Sequence, residues 1–262
     1  MNQTNFYLQT MQHLLHADLK TFKESFFAKT IDLFIWVACT IGVMGYIMPA
    51  LGLSTDYGNF QLAGSIASAG LFEIFPHVMQ MVGDIEGNNT ISYQLTLPVP
   101  SWLILVKTIL YYAICSTVLS IIMLPLGKLV LWNTFSLAHV SLMRFIVMII
   151  TSGILYGAIT LLLAAWVKNM AGIGHVWTRC IFPLWFLGGF QFSWATLYGI
   201  APTLAYMDLL NPIIYVMEGF RTALLGQEGN LPFWACVTVV LLMSVGASWW
   251  AIVQLKKRLD FV

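Results

Sequence analysis

Apolar positions along the chain gather into six long runs, at about 31–51, 60–82, 102–126, 141–166, 178–199 and 232–255, each bounded by charge, proline or glycine. A helix needs roughly 20 such residues to cross a hydrocarbon core about 30 Å thick. Lipid offers no water to the backbone, so each N–H and C=O must be paired within its own segment, and runs of this length predict helices. Strand-like alternation is absent from them, which excludes an outer-membrane barrel. The pattern therefore predicts an all-α membrane protein with six spans. Residues 6–28 read differently. Met11, Leu14, Leu15, Leu19, Phe22 and Phe26 recur at helical spacing, while Gln12, His13, His16, Lys20 and Lys23 lie mostly elsewhere on the wheel. That spacing predicts an amphipathic helix lying in the membrane interface.

Composition sharpens the class. Of 262 residues, 59% are hydrophobic and 9% charged, against about 25% charged in a soluble domain. So little charge cannot cover a water-soluble body. No polar stretch is long enough to fold an ATPase or DNA-binding unit, so residues 1–262 are read as a single transmembrane domain. Charged residues between Asp18 and Lys29 also argue against a cleavable signal peptide. The basic residues then set orientation. With the N-terminus cytoplasmic, the inside holds Lys20, Lys23, Lys29, Lys107, Lys168, Arg179, Lys256, Lys257 and Arg258, and the outside only Lys128, Arg144 and Arg221. This asymmetry predicts both termini on the cytoplasmic side.

Candidate chemistry is sparse. No nucleotide-binding loop, zinc-protease motif or serine-nucleophile elbow occurs, so no catalytic residue is assigned and an enzyme is not expected. The four cysteines lie far apart in apolar runs, and His13 and His16 lack a third ligand, so no metal site is expected. Three features stand out. Glu73 lies inside the second run, about 13 Å from its cytoplasmic end at 1.5 Å per residue. Such a group is costly in lipid unless paired, protonated or wet, which makes Glu73 a candidate for a transport pathway or for a structural hydrogen bond. The loop after that run opens with Asp84, Glu86 and Gly87, and Thr90 N-caps a short helix bearing Ile91, Leu95 and Leu97. Pro98 and Pro100 end it. A helix of under three turns needs a surface to bind, and here that surface is expected on another protein. Lastly, Asn211 and Pro212 start a helix that Gly226 stops. At about 21 Å it is too short to cross the core, so residues 200–226 are expected to dip into the outer leaflet and return. Glu218 and Arg221, three apart on one face, would neutralise each other there.

At these residues the chain resembles the membrane subunit of an ABC-2-type ABC exporter. Family members follow the second span with an acidic patch, a Gly-Thr step and a Leu-rich turn ending in Pro-Val, matched here by Asp84, Glu86, Gly87, Thr90, Leu95, Leu97, Pro98 and Val99. Two asparagines separate Gly87 from Thr90, and the loop lacks the arginine the family often carries. After the fifth span the family shows Asn-Pro, an aromatic, Glu, Arg, then Leu and Gly, matched by Asn211, Pro212, Tyr215, Glu218, Arg221, Leu224, Leu225 and Gly226. The resemblance implies a permease homodimer working with two copies of a separate ABC ATPase. That partner, rather than this chain, would bind ATP and magnesium. Residues 84–99 would be the coupling helix and 200–226 a re-entrant pair. The cargo would be amphiphilic: a lipid, a lipid-linked polysaccharide or a hydrophobic drug. Two other readings stay open, an ion- or proton-coupled carrier or channel using Glu73, and a structural assembly factor.

Overall fold

The computed structural model describes residues 3–88 and 90–259, and every regular element among them is a helix. Among the described residues five helices are long and apolar enough to cross a membrane, and a bent helix pair makes six if it counts as one span. Helix α1 (Gln3–Gly42) continues through a π-helical turn at Val43–Ile47 to Ala50. No glycine or proline interrupts residues 3–41, so nothing in the sequence stops the helix where the interfacial segment was expected to give way to the span. The 46 residues from Asn5 to Ala50 reach about 69 Å, more than twice the hydrocarbon thickness. The amphipathic segment and the first span are thus one element. Its apolar face turns onto protein: Phe22 is buried, and Leu15, Leu19 and Phe26 pack against the core.

The second span joins α2 (Tyr57–Phe72) to α3 (Ile74–Gly83) across Glu73, and a π-helical turn at Asp84–Asn88 prolongs it. It starts a little before the apolar run does. The short helix α4 (Thr90–Leu95) follows, then α5 (Ser101–Val130) and α6 (Leu142–Trp166). Helices α5 and α6 approach closely at two glycines. A methyl group on Gly157 would come 2.4 Å from the Ile109 carbonyl oxygen, and one on Gly153 would come 2.2 Å from Thr117 Oγ1.

The fifth span differs from the expected 178–199. A run of mixed helical turns, α7 (Met170–Phe190), ends at Gly188 and Gly189, and the chain then turns by 83° into α8 (Trp194–Ile200). Gly189 has φ +84°, a backbone that side chains with a Cβ rarely adopt. Helices α9 (Pro202–Asp208) and α10 (Pro212–Leu225) complete the segment of short helices before the last long one, which therefore begins near residue 191 rather than 200. Helix α11 (Phe233–Leu259) closes the bundle. The second span and α6 form its centre, with 72% of each apolar window buried, against 17% for the first helix and 28% for the last.

Candidate functional site

The loop after the second span is held by its own acids. Asp84 accepts hydrogen bonds from the backbone N–H groups of Thr90 (3.1 Å) and Ile91 (2.8 Å), so it caps α4 from six residues upstream. The expected Thr90 cap is replaced: Thr90 is the first residue of α4 and supplies a donor. A carboxylate carries a full charge to the positive end of the helix, which a hydroxyl cannot. Glu86 reaches the Met170 N–H at 3.1 Å, tying the loop to the start of α7. Ile91 and Val99 are buried and Leu95 packs on the core, whereas Thr90 and Pro98 are exposed and Leu97 is half-buried. Tyr93, 68% exposed, is the large apolar side chain that α4 presents outward.

Beneath α4 lies a cluster that sequence reasoning missed. Lys107, on the first turns of α5, is 3% exposed. Its Nζ donates to Asp18 Oδ2 of α1 at 2.6 Å and to Gln94 Oε1 of α4 at 3.0 Å. One cation thereby joins the first helix, the loop helix and the third span. A lysine inside an apolar run was a signal of the same kind as Glu73, but it had served only to count charge. At the same end, Arg258 near the C-terminus donates to the carbonyls of Ala164 and Val167 at 2.8 and 2.6 Å.

Glu73 is paired. Lys29 of α1 forms a salt bridge with it, and His77, one turn on, brings Nε2 to 3.5 Å of the same oxygen. The second span starts at Tyr57, so Glu73 lies about 24 Å from that end. The helix runs on to Gly87, about 21 Å the other way, so Glu73 lies near the middle of this element. Lys29, assigned from sequence to the cytoplasmic side, thus reaches an acid that otherwise reads as isolated.

At the opposite end, Glu218 and Arg221 pair at 3.1 Å and both are fully buried. Their main work is on the backbone. Arg221 donates to the carbonyls of Gly189 and Phe192, where α7 breaks, and its guanidinium lies 3.7 Å from the centre of the Phe60 ring. Glu218 accepts from the N–H of Trp194, opening α8, and of Leu231, just before α11, each at 3.0 Å. The cation thus serves the carbonyl end of one broken helix, and the anion serves N–H groups that have lost their own helical partners. Asn211 caps α10 by accepting from Ile213 N–H at 3.0 Å, with Pro212 at the first position, and donates to the Leu184 carbonyl at 2.9 Å. Tyr215 donates to the Leu209 carbonyl, and Gly226 ends the helix with φ +106°. Asp208, not singled out from sequence, lies half-buried beside this group. Burial pushes its carboxyl up to about 6, outweighing the lowering by Asn211.

The two sequence-derived groups therefore sit at opposite ends of the bundle, with the Lys29–Glu73 pair between them. Among the described residues no cluster of three or more His, Cys, Asp or Glu side chains could hold a metal ion. The model of one sequence family, described as ABC-2 type transporter, matches residues 10–225, a stretch that takes in the loop group and the second group up to Leu225. No curated protein matches the chain.

Proposed function

This chain belongs to the ABC-2 type transporter family, and from that premise we propose that it is the permease of an exporter driven by a separate ATPase. Two copies of the chain form the pathway for an amphiphilic cargo, and two copies of the partner bind ATP and magnesium. Helix α4 receives the partner's movement. The observation that supports this role is its construction. A helix of six residues is too short to hold its own shape in water, yet this one is capped by Asp84, clamped by Gln94 to buried Lys107, and points Tyr93 outward. Such a helix can be pushed without melting. Residues 191–226 close the far end of the pathway, with Glu218 and Arg221 holding the break.

A gradient-driven carrier with Glu73 as its proton site gains nothing from the geometry, because Lys29 already neutralises that acid. Co-expression with the ATP-binding-cassette protein encoded nearest this chain tests the reading. Co-purification is expected, with ATPase activity stimulated by the permease. Tyr93→Asp, on an exposed position, should weaken that association while the permease itself still folds. Transport that survives ATP depletion but follows the proton gradient would sink the proposal.

A further inference from the structure

Two hollows of opposite character meet where α6 ends. The larger, about 1000 Å³, lies between α6, α7 and α11, and its walls are mostly apolar. Leu187, Leu204 and Met207, which line it, are each more than half exposed. The smaller, about 450 Å³, lies between the ends of α6 and α11 and is lined by Lys168, Gln254, Lys257 and Arg258. Trp166 lines both. Its ring packs edge-on to that of Trp250, another wall of the larger hollow, with centroids 5.5 Å apart. Each of the two tryptophans is about half exposed. Such amphipathic rings gather where membrane hydrocarbon gives way to headgroups. Apolar walls on one side of the pair and cations on the other agree with that level.

The smaller hollow is built around Arg258. This side chain donates to the carbonyls of Ala164, Val167 and Lys168, so three of its five N–H donors are used. The bonds fix the guanidinium and offset the negative end of α6. Two donors remain. Lys168 and Lys257 stand exposed beside it. Among the described residues none of these three cations forms an ion pair. With the helix end already served, the hollow keeps a surplus of positive charge that an anion would offset. A phosphate suits an arginine whose donors are held in place. A free phosphate would use this end alone and leave the apolar walls beside it uncovered. A headgroup joined to an alkyl chain uses both.

We propose that the paired hollows bind one anionic phospholipid. Its phosphate lies among Arg258, Lys168 and Lys257, and an acyl chain runs past Trp166 into the space between α6, α7 and α11. A second copy of the chain could cover the apolar walls, but it would have to bring an acid to this one point. The lipid carries both parts joined in the required order. The site goes beyond the export reading: it concerns one face of the subunit and stands whether or not the bound molecule is the cargo.

Purified full-length protein in detergent is titrated with dioleoylphosphatidylglycerol and, in parallel, with dioleoylphosphatidylcholine, which has the same chains and no net charge. With several cations near the headgroup, phosphatidylglycerol should bind at least about ten-fold tighter. Lys168→Gln and Lys257→Gln together should remove most of that preference and leave phosphatidylcholine binding unchanged; Arg258 stays, because it holds the end of α6. Ala247→Phe, on the α11 wall of the larger hollow, should weaken both lipids. Thermal unfolding of each lipid-free variant separates loss of binding from loss of fold. Equal affinity for the two lipids, or an undiminished preference in the double variant, overturns the proposal. Displacement of phosphatidylglycerol by an equal concentration of inorganic phosphate, with Ala247→Phe binding as the wild type does, also overturns it and leaves a simple anion site. Absence of lipid binding together with dissociation of an oligomer by Ala247→Phe overturns it too, showing that a second copy covers this face.

Discussion

The Asp18–Lys107–Gln94 cluster gives the most quantitative test of how α4 is anchored. Lys107→Met keeps the length and apolar stem of the side chain and deletes the charge. Two contacts are lost, at 2.6 Å to Asp18 and 3.0 Å to Gln94, and the Gln94 side chain stays buried with its acceptor unpaired. Breaking one member of a fully buried pair costs about 3–5 kcal/mol. The Asp18 side chain is 27% exposed, so water recovers part of that loss. With about half of the pair loss kept and an unsatisfied buried acceptor added, about 1–3 kcal/mol, the net expectation is roughly 3–5 kcal/mol. At about 2–4 °C per kcal/mol for chains of this size, the apparent melting temperature should fall by about 6–20 °C. Asp18→Asn alone should cost less, because the lysine keeps Gln94. The double variant should be milder than the two single losses added together, with a coupling of about 1–2 kcal/mol. The assay is thermal unfolding of the purified chain in one fixed detergent, followed by near-ultraviolet circular dichroism. Strictly additive losses, or a Lys107→Met protein as stable as the wild type, would show that the cluster does not hold α4.

Arg221→Met removes the cation that serves the Gly189 and Phe192 carbonyls and leaves Glu218 buried without a counter-charge. A loss of about 3–5 kcal/mol should appear as failure to accumulate in the membrane, and normal yield would refute the capping role. Gly157→Ala puts a methyl group 2.4 Å from the Ile109 carbonyl; α5 and α6 must separate, and a destabilisation of about 1–3 kcal/mol is expected by thermal unfolding. Asp208 gives a pH signature. Its carboxyl is raised from 3.8 to about 6, first by burial, so the native state holds this proton more tightly than the unfolded chain. The stability tied to the protonated form is complete below about pH 4 and is lost as pH rises through about 6. Asp208→Asn should therefore match the wild type at pH 4 and exceed it at pH 8, by about 1–2 kcal/mol once the half exposure of the group is discounted. A pH-independent difference in melting temperature would count against that assignment.

What could be read in the sequence was whatever depends on neighbours along the chain. Apolar runs gave the spans because a helix in lipid satisfies its own backbone, and Asn211, Pro212 and Gly226 marked the ends of α10 because capping is local. Helix ends set by distant residues were less accessible. The fifth span stops at Phe190, where apolar residues continue on both sides, because Arg221, more than thirty residues on, accepts the duty of its free carbonyls. Helix α1 shows the complementary case. Leu15, Leu19, Phe22 and Phe26 of its apolar face lie against the core, and periodicity alone does not distinguish a face that meets lipid from one that meets α5. Glu73 reads as isolated for the same reason, since 44 residues of chain separate it from Lys29.

These observations bear together on how a push on α4 would spread. Asp84 links α4 to the end of the second span, Gln94 and Lys107 link it to the third, and Glu86 links the same loop to the first turn of α7. Through Asp18 the cluster also holds α1, which is bound again, further up, by Lys29 to Glu73. Buried hydrogen bonds and ion pairs deform little before they break, so displacing α4 should carry the loop end of these helices as one body. Helix α7 then becomes the element to watch. Glu86 ties its start to the loop, and Arg221 and Asn211 grip its end from α10. Its turns are mixed, with π-helical geometry at Trp177–Ile181 and non-helical backbone at Gly188 and Gly189, and such departures from the regular helix often mark hinges. A connector fixed at both ends is where movement of the loop would reach residues 191–226. Glu86→Gln, which weakens only the inner attachment, should therefore leave stability nearly unchanged while reducing transport driven by the ATPase. Equal loss of partner binding and transport would place Glu86 at the docking surface instead.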